Sequence, residues 1–255
     1  MALPLPRRRR TLLLLLACAA NAFSASSLEE RKQKIKEMEA KISSEALQRR
    51  ARSEKVLAAE QVPINKGLPV IETEQEAKRR GKEEIAYRTL ALLTVSIKGM
   101  GEEHSTIQRV VKDYGLAPYF SPKERAFIAN PTPTLHERAP FSWRFESAWV
   151  LLWAMGYVGK LDKPTIPCDP ADAVAFMRKR KPTQFIADAK LRPLSEILDQ
   201  ADRIYRYHWA VVDARINGKP TPAMLNPDVT MERHYALNWL IGYSDEEWDD
   251  VSTDT

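Results

Sequence analysis

The chain has little glycine and cysteine, and it lacks the short motifs that carry a known chemistry. Only 9 of its 255 residues are glycine, which argues against the glycine-rich phosphate loops of nucleotide-binding α/β folds. The sequence contains no G-x-G-x-x-G, G-x-x-x-x-G-K-[ST], H-E-x-x-H, C-x-x-C or G-x-S-x-G pattern. It therefore predicts no cofactor and no metal site, and it specifies no reaction.

Net positive charge is also small outside the amino-terminal segment. The formal net charge of +5 depends on the block Arg7–Arg10, because residues 1–22 contain no acid. Without those four arginines the net charge is +1. Nucleic-acid binding requires clustered lysine and arginine on the folded domain, so we predict no nucleic-acid partner.

The amino-terminal segment has the pattern of a secretory signal peptide. The basic block is followed by the apolar residues 12–20, and the small residues Ala20 and Ala22 stand where a signal peptidase reads the chain. The apolar run is too short to cross a bilayer, which requires about 20 residues. We expect cleavage between Ala22 and Phe23, a secretory or exported location, and no transmembrane span in the mature chain.

Other interpretations of this segment stay open. Residues 15–18 resemble a bacterial lipobox, in which Cys18 becomes a lipidated first residue. Residues 20–23 also resemble the junction of bipartite plastid presequences, although Glu29 and Glu30 follow closely and transit peptides contain few acids. A further alternative is a tail that is never cleaved.

Removal of the signal leaves Cys168 as the one remaining cysteine. A lone cysteine forms no internal disulfide, so the exported domain depends on its core alone. The neighbouring Asp169 places a carboxylate beside the thiol, and this raises a thiol pKa. We interpret Cys168 as a buried or half-buried structural residue and not as a nucleophile.

Helix start and stop signals recur along the chain and predict an all-α fold. The start signals are capping boxes at 73–76 and 121–124 and the cap–proline pairs Thr132-Pro133, Asp169-Pro170 and Asn226-Pro227. Gly115 and Gly218 stand where helices should end, and alternating strand patterns are nearly absent. We expect a compact multi-helix domain, with one helix that opens at Thr73 and continues through the apolar residues 89–95.

The chain divides into a signal peptide (1–22), a charged helical extension (23–48) and a helical domain (49–255). In the extension Leu28, Ile35 and Ile42 are seven residues apart, which is the spacing of a weak coiled-coil seam. Self-association through residues 28–48 is therefore possible for this sequence. Because the segment is heavily charged, we expect the domain to fold without it.

Residues 141–153 predict a helix at the centre of the domain, since they are apolar on nearly every side. Arg144 and Glu146 are the charged residues of this segment. They are two positions apart, point to different sides and cannot pair with each other. We interpret them as members of separate structural ion pairs, and the alternative is that they bind a ligand.

Two later helices carry the best candidates for a polar site. The helix from Leu194 to about Asn217 directs His208 towards the core, and the helix from Pro227 to about Ile241 places His234 and Asn238 one turn apart. Two histidines without a carboxylate at a fixed spacing do not form a metal motif. On the first of these helices, two pairs spaced four apart predict a solvated face, Asp199–Arg203 and Asp202–Arg206.

The carboxyl-terminal residues 245–255 are acidic but also contain Trp248 and Val251. A disordered acidic tail avoids aromatic residues because it has no core in which to bury them. We therefore expect the tail to pack on the domain, with its acids against helix amino termini or arginines such as Arg233. Asp249 is a candidate catalytic residue, and Asp250 is a candidate ligand-binding residue.

Five blocks of sequence carry a family resemblance. They are residues 52–53 with 62–65, residues 141–146, residues 204–210, residues 231–243 and residues 248–255. In this order they resemble the domain-of-unknown-function family numbered 4272, over about residues 49–255. The resemblance implies a compact, mainly helical domain, and it implies no activity, substrate or catalytic residue.

Three classes of function remain open. A non-catalytic binding or adaptor module is favoured, because no motif with a mechanism is present. The alternative is a hydrolase-like enzyme that uses His208, His234 and a tail aspartate such as Asp249 as acid–base groups. The third class is a structural protein that oligomerises through residues 28–48.

We predict that the mature protein begins at Phe23, because small residues follow the leucine-rich run at the positions a signal peptidase reads. Amino-terminal sequencing of the protein from its native source checks this prediction. A chain that begins at Met1 would contradict export, and a lipid on Cys18 would identify the lipoprotein alternative.

Overall fold

Helices form the regular structure of residues 43–255, which is the part of the chain that the computed structural model describes. The signal segment, its cleavage point before Phe23 and most of the charged extension lie outside this part. No strand occurs within it, so the all-α prediction is confirmed. The helices are α1 (Ser44–Ala59), α2 (Lys82–Met100), α3 (His104–Tyr114), α4 (Pro122–Ala129), α5 (Leu135–Ser142), α6 (Arg144–Ala154), α7 (Pro170–Arg178), α8 (Pro182–Asp188), α9 (Leu194–Ile216) and α10 (Pro227–Ile241).

Helix caps set several of these boundaries as the sequence predicts. Ser121 accepts a hydrogen bond from the Glu124 amide, and the Glu124 carboxylate accepts one from the Ser121 amide. Asp169 and Asn226 cap α7 and α10 in the same manner through their side-chain oxygens. Gly115 ends α3 in the left-handed conformation with φ 64°, which costs glycine little because it has no Cβ.

Three predicted boundaries are wrong. The Thr73–Glu76 hydrogen bonds form, but they close an isolated turn and α2 starts only at Lys82. The intervening backbone is held elsewhere, since the amides of Lys78 and Arg80 donate to carbonyls at the end of α10. Thr134, rather than Thr132, caps α5. The predicted helix 141–153 is interrupted at Trp143, shortly after Pro140, which has no amide for the helix.

Helix α2 lies at the centre of the packing. It contacts α5 and α6, α6 in turn packs on α10, and α10 packs on α9. Its buried hydroxyls, on Thr89, Thr94 and Ser96, donate to carbonyls four residues earlier, so they need no partner from another helix. At Gly99 the backbone of α5 comes so close that a Cβ would lie 2.6 Å from the Ser142 nitrogen.

The first described helix crosses the expected boundary between extension and domain at residue 48. Helix α1 begins at Ser44, and Ala46 in its first turn is buried. Truncation at residue 48 would therefore cut through a packed helix. Among residues 43–255, none of the helices is long and apolar enough to cross a membrane.

The carboxyl-terminal tail is packed on the domain, as its composition predicts. Trp248 is only 4% exposed. Its ring meets those of Tyr235 and Trp239 edge-on, at centroid distances of 5.0 and 5.4 Å. Two guanidinium groups lie over the same ring, from Arg88 at 4.9 Å and from Arg144 at 5.8 Å. Trp153 and Trp239 are buried as well, whereas the other three tryptophans, Trp143, Trp149 and Trp209, are half-buried.

We predict that Trp248→Ala lowers the free energy of unfolding by about 3 kcal/mol or more, because it removes a buried indole and the cation–π contacts of two arginines. Urea unfolding at unchanged slope measures this loss. Leu135→Ala is the control, since Leu135 is 79% exposed and should change stability by less than about 0.5 kcal/mol. Equal midpoints for Trp248→Ala and the parent protein would contradict the packing of the tail.

Candidate functional site

Two ion pairs join α6 to α10. The Arg144 guanidinium binds the Glu232 carboxylate at 3.1 Å, and Glu146 accepts a hydrogen bond from Arg233 Nε at 2.9 Å. As the sequence predicts, Arg144 and Glu146 belong to separate pairs. Burial raises the pKa of Glu232, and Arg144 together with the Ser147 hydroxyl, 2.7 Å away, opposes this rise. Both pairs hold helices together.

The Glu146–Arg233 pair also explains the surroundings of Cys168 and the hydrogen bonds of Arg233, two residues that the sequence analysis singles out. Glu146 accepts a hydrogen bond from the Cys168 amide, and burial, followed by the Glu146 charge, raises the pKa of the Cys168 thiol. The Asp169 charge contributes less to this rise than burial or Glu146 does. The predicted direction of the pKa shift is therefore right, but Asp169, the predicted cause, is a minor one. Arg233 binds Glu146 and the Asp162 carbonyl oxygen. It therefore does not pair with the acids of the tail.

The two tail aspartates that the sequence offers as candidates, Asp249 and Asp250, lie away from both histidines. Asp249 accepts hydrogen bonds from the Ser121 hydroxyl at 2.6 Å and the Lys123 amide at 2.9 Å, and so it caps the amino terminus of α4. Together with Arg144 it lines a cleft of about 560 Å³. Asp250 is exposed to solvent. Asp249 therefore holds the tail against α4 and does not meet His208 or His234.

His208 and His234 face each other across the contact between α9 and α10. Their Nδ1 atoms are 2.9 Å apart, and both rings are buried. One Nδ1–H must donate to the other Nδ1, because two protonated nitrogens would repel and two bare nitrogens cannot bond. The donor ring then has a bare Nε2 and the acceptor ring an Nε2–H. The pair thus offers one acceptor and one donor to other groups.

Burial keeps both imidazoles neutral. It lowers the pKa of His208 to about 4, with a further contribution from the positive charge of Arg215. It lowers the pKa of His234 to about 3, and the nearby His208 adds to the effect. Both values are far below physiological pH, so the two rings act there as neutral hydrogen-bonding groups.

A cleft of about 340 Å³ opens beside this pair, and we call it the His234 cleft. Its apolar lining comes mainly from residues 69–71 and Ile241, and its polar lining comes from Glu72, Tyr205, His234, Asn238, Tyr243, Asp254 and Thr255. The Asn238 amide donates to the Ser252 carbonyl oxygen, which leaves the side-chain oxygen of Asn238 as an acceptor. Apolar walls with a few polar groups are typical of small-molecule sites.

The structure therefore brings together three of the candidates, His208, His234 and Asn238, and keeps Arg144, Glu146, Asp249 and Asp250 apart from them. Tyr205 and Tyr243 complete the cleft, and sequence reasoning missed both. Tyr205 is one turn before His208 on α9, and its residue type alone carried no separate signal of a site. Asp254 is the tail aspartate that does line the cleft. Within residues 43–255, no three or more His, Cys, Asp or Glu side chains cluster so as to hold a metal.

The two ion pairs predicted on α9 have different outcomes. Asp202 and Arg206 do pair, at 2.8 Å, but both are fully buried rather than part of a solvated face. Asp199 binds Arg52 of α1 at 2.6 Å. Arg203 consequently has no ion pair with any described residue. The cause lies in the tertiary structure, because Arg52 of α1 binds the Asp199 carboxylate that Arg203 would otherwise contact.

Fold and site together define an all-α domain in which two ion pairs join α6 to α10 and a pair of buried histidines borders a cleft. The family model described as "Domain of unknown function (DUF4272)" matches residues 49–251. The chain belongs to this family, in agreement with the resemblance of its sequence blocks. No curated protein and no solved structure matches the chain.

We predict that the protein loses stability as the pH falls from about 6.5 to about 4. In this window the unfolded chain protonates both histidines and the folded chain does not, so folding becomes less favourable. The loss is up to about 1.4 kcal/mol per pH unit for each histidine. Chemical unfolding at a series of pH values measures it.

The double variant His208→Phe/His234→Phe should show a smaller slope of unfolding free energy against pH. Titrating carboxylates contribute equally to both proteins, so the difference between the slopes isolates the histidine pair. His136→Phe, at an exposed histidine, should leave the slope unchanged. Equal slopes for the double variant and the parent would show that the pair is not buried and neutral.

Proposed function

We propose that this protein is a non-catalytic binding module and that its ligand occupies the His234 cleft. The observation that carries the proposal is a neutral histidine pair beside a cleft of about 340 Å³. This volume falls within the range of roughly 300–1,000 Å³ that small-molecule sites occupy. Since each Nδ1 is used by the other ring, Nε2 is the nitrogen of His234 that remains for a ligand.

The low pKa values of the two histidines favour binding over catalysis. A general base works best with a pKa near the operating pH, and these imidazoles have pKa values of about 4 and about 3. Neither ring has a hydrogen bond to a carboxylate of residues 43–255 that would raise its basicity. Asp249, the aspartate that the catalytic alternative names, is engaged with α4.

The charge of the lining restricts the class of ligand. Glu72 and Asp254 are acidic residues of the lining, which contains neither lysine nor arginine. An anion would be repelled, so the ligand is neutral or cationic. The rings of Tyr205 and Tyr243 favour a ligand that contains an aromatic ring, and the side-chain oxygen of Asn238 favours a ligand that donates a hydrogen bond. A small aromatic molecule with N–H groups meets each of these conditions.

Three probes of the same shape and different charge test this proposal: benzamidine, benzamide and benzoate. We predict that benzamidine and benzamide shift the NMR signal of the Asn238 side-chain amide at lower concentration than benzoate does. His234→Phe and Tyr243→Ala should each weaken binding about tenfold, the loss expected for one good hydrogen bond or one aromatic wall. His136→Phe and Tyr119→Ala, outside the His234 cleft, are the matched controls.

Two results would overturn the proposal. In one, benzoate shifts the Asn238 signal at as low a concentration as benzamidine does, or the cleft variants bind benzamidine as the controls do. In the other, the protein hydrolyses p-nitrophenyl acetate faster than buffer does and His234→Phe abolishes this activity. The second result would establish the hydrolase alternative, for which the presence of Asp254 in the same cleft is the favourable observation.

A further inference from the structure

A second cleft lies beside the same two helices, and Arg203 is its least satisfied residue. Arg203 has no ion pair with a described residue, because Asp199 is bound to Arg52. Its Nε atom is buried and has no hydrogen-bond acceptor. A buried donor without an acceptor costs free energy in the empty protein. A ligand that brings an acceptor would remove this cost.

Three more cations share the cleft with Arg203, and its carboxylates are already engaged. The cations are Lys160, Lys163 and Arg233, against Glu60 and Asp162. Glu60 accepts a hydrogen bond from the Tyr207 hydroxyl at 2.6 Å, and Asp162 binds Lys160 at 2.8 Å on the surface. Lys163 lies 3.8 Å from the Glu60 carboxylate, and Arg233 is paired with Glu146. Arg203 therefore supplies the one positive charge of this lining that has no carboxylate partner among the described residues.

Arg233 is positioned in advance by the ion pair that joins α6 to α10. Its Nε donates to Glu146 and its Nη1 to the Asp162 carbonyl oxygen, at 2.9 and 2.7 Å. Nη2 makes no hydrogen bond to a described residue. A guanidinium held in this manner loses little side-chain entropy when its remaining N–H groups bind an acceptor.

We propose that this cleft, the Arg203 cleft, binds a small molecule through its oxyanion, a carboxylate or a phosphate. Guanidinium groups match the oxygens of both anions in geometry and charge. The cleft holds about 300 Å³ and is also lined by Leu161, Pro164, Ile204 and Leu237. An oxyanion that carries a small apolar body therefore fits better than the bare ion. This site is separate from the His234 cleft and does not depend on it.

The test uses three anions on the full chain: phenyl phosphate, benzoate and inorganic phosphate. We expect phenyl phosphate or benzoate to shift the NMR signals of the Leu161 and Ile204 amides and to bind more tightly than inorganic phosphate. Added sodium chloride should weaken the binding. The tighter of the two aromatic anions identifies the head group, and either result supports the site. The Asn238 side-chain signal, which reports on the His234 cleft, should not move.

Arg203→Gln is the decisive variant. It should weaken binding of the preferred anion about tenfold, because a charge-assisted hydrogen bond is lost. It should unfold at the parent's midpoint, since Arg203 has no protein partner to lose. Lys163→Gln should weaken binding to a smaller extent. Arg109→Gln, at an exposed arginine of α3, is the matched control and should bind as the parent does.

Two outcomes would overturn the proposal. One is that none of the three anions shifts the Leu161 and Ile204 amides. The other is that Arg203→Gln and Arg109→Gln bind the preferred anion equally well. Both outcomes leave the proposal for the His234 cleft unaffected, because that cleft is followed by other signals and other variants.

Discussion

The paired charges between α6 and α10 are the constraint on which the rest of the domain depends. Arg144 and Glu146 bind Glu232 and Arg233, and all but Arg144 are at least nine-tenths buried. Removal of one partner from a buried pair leaves an uncompensated charge, which costs about 3–5 kcal/mol. The two pairs therefore permit one register of α6 against α10. Arg144 also lies over Trp248, so the same contact holds the carboxyl-terminal tail.

The polar residues of α10 face different neighbouring helices. Their hydrogen bonds distinguish residues with a structural role from candidate ligand-binding residues. Glu232 and Arg233 face α6 and are bound there, whereas His234 faces α9, where it is hydrogen-bonded to the neutral His208 ring and lies 5.7 Å from the Tyr205 ring. Adjacent residues on a helix point about 100° apart. One helix can therefore place Arg233 against α6 and the next residue, His234, against α9. On α9, Arg203 lies beside one cleft and Tyr205 beside the other. Both proposed sites thus border the α9–α10 contact.

Much of the fold could be predicted from the sequence, because helix boundaries depend on neighbouring residues. The predicted start and end of α10 match the structure, and the caps at Ser121, Asp169 and Asn226 form. The helix expected at Thr73 fails although its capping hydrogen bonds exist. A remote segment, the end of α10, binds the backbone that would have continued the helix. The local sequence pattern predicts the capping box. It cannot predict that the backbone after it forms hydrogen bonds with the end of α10 instead of continuing as a helix.

The sequence by itself determined the all-α class, the caps, the family and the separation of Arg144 from Glu146, since each depends on residue type and short spacing. Only the tertiary structure decided which polar groups meet. His208 and His234 are 26 positions apart and touch because α9 packs on α10. Arg203 has no ion pair with a residue of the described part, because Arg52, on α1, binds Asp199. Such contacts depend on how helices pack, and helix packing is a property of the whole chain rather than of a local segment.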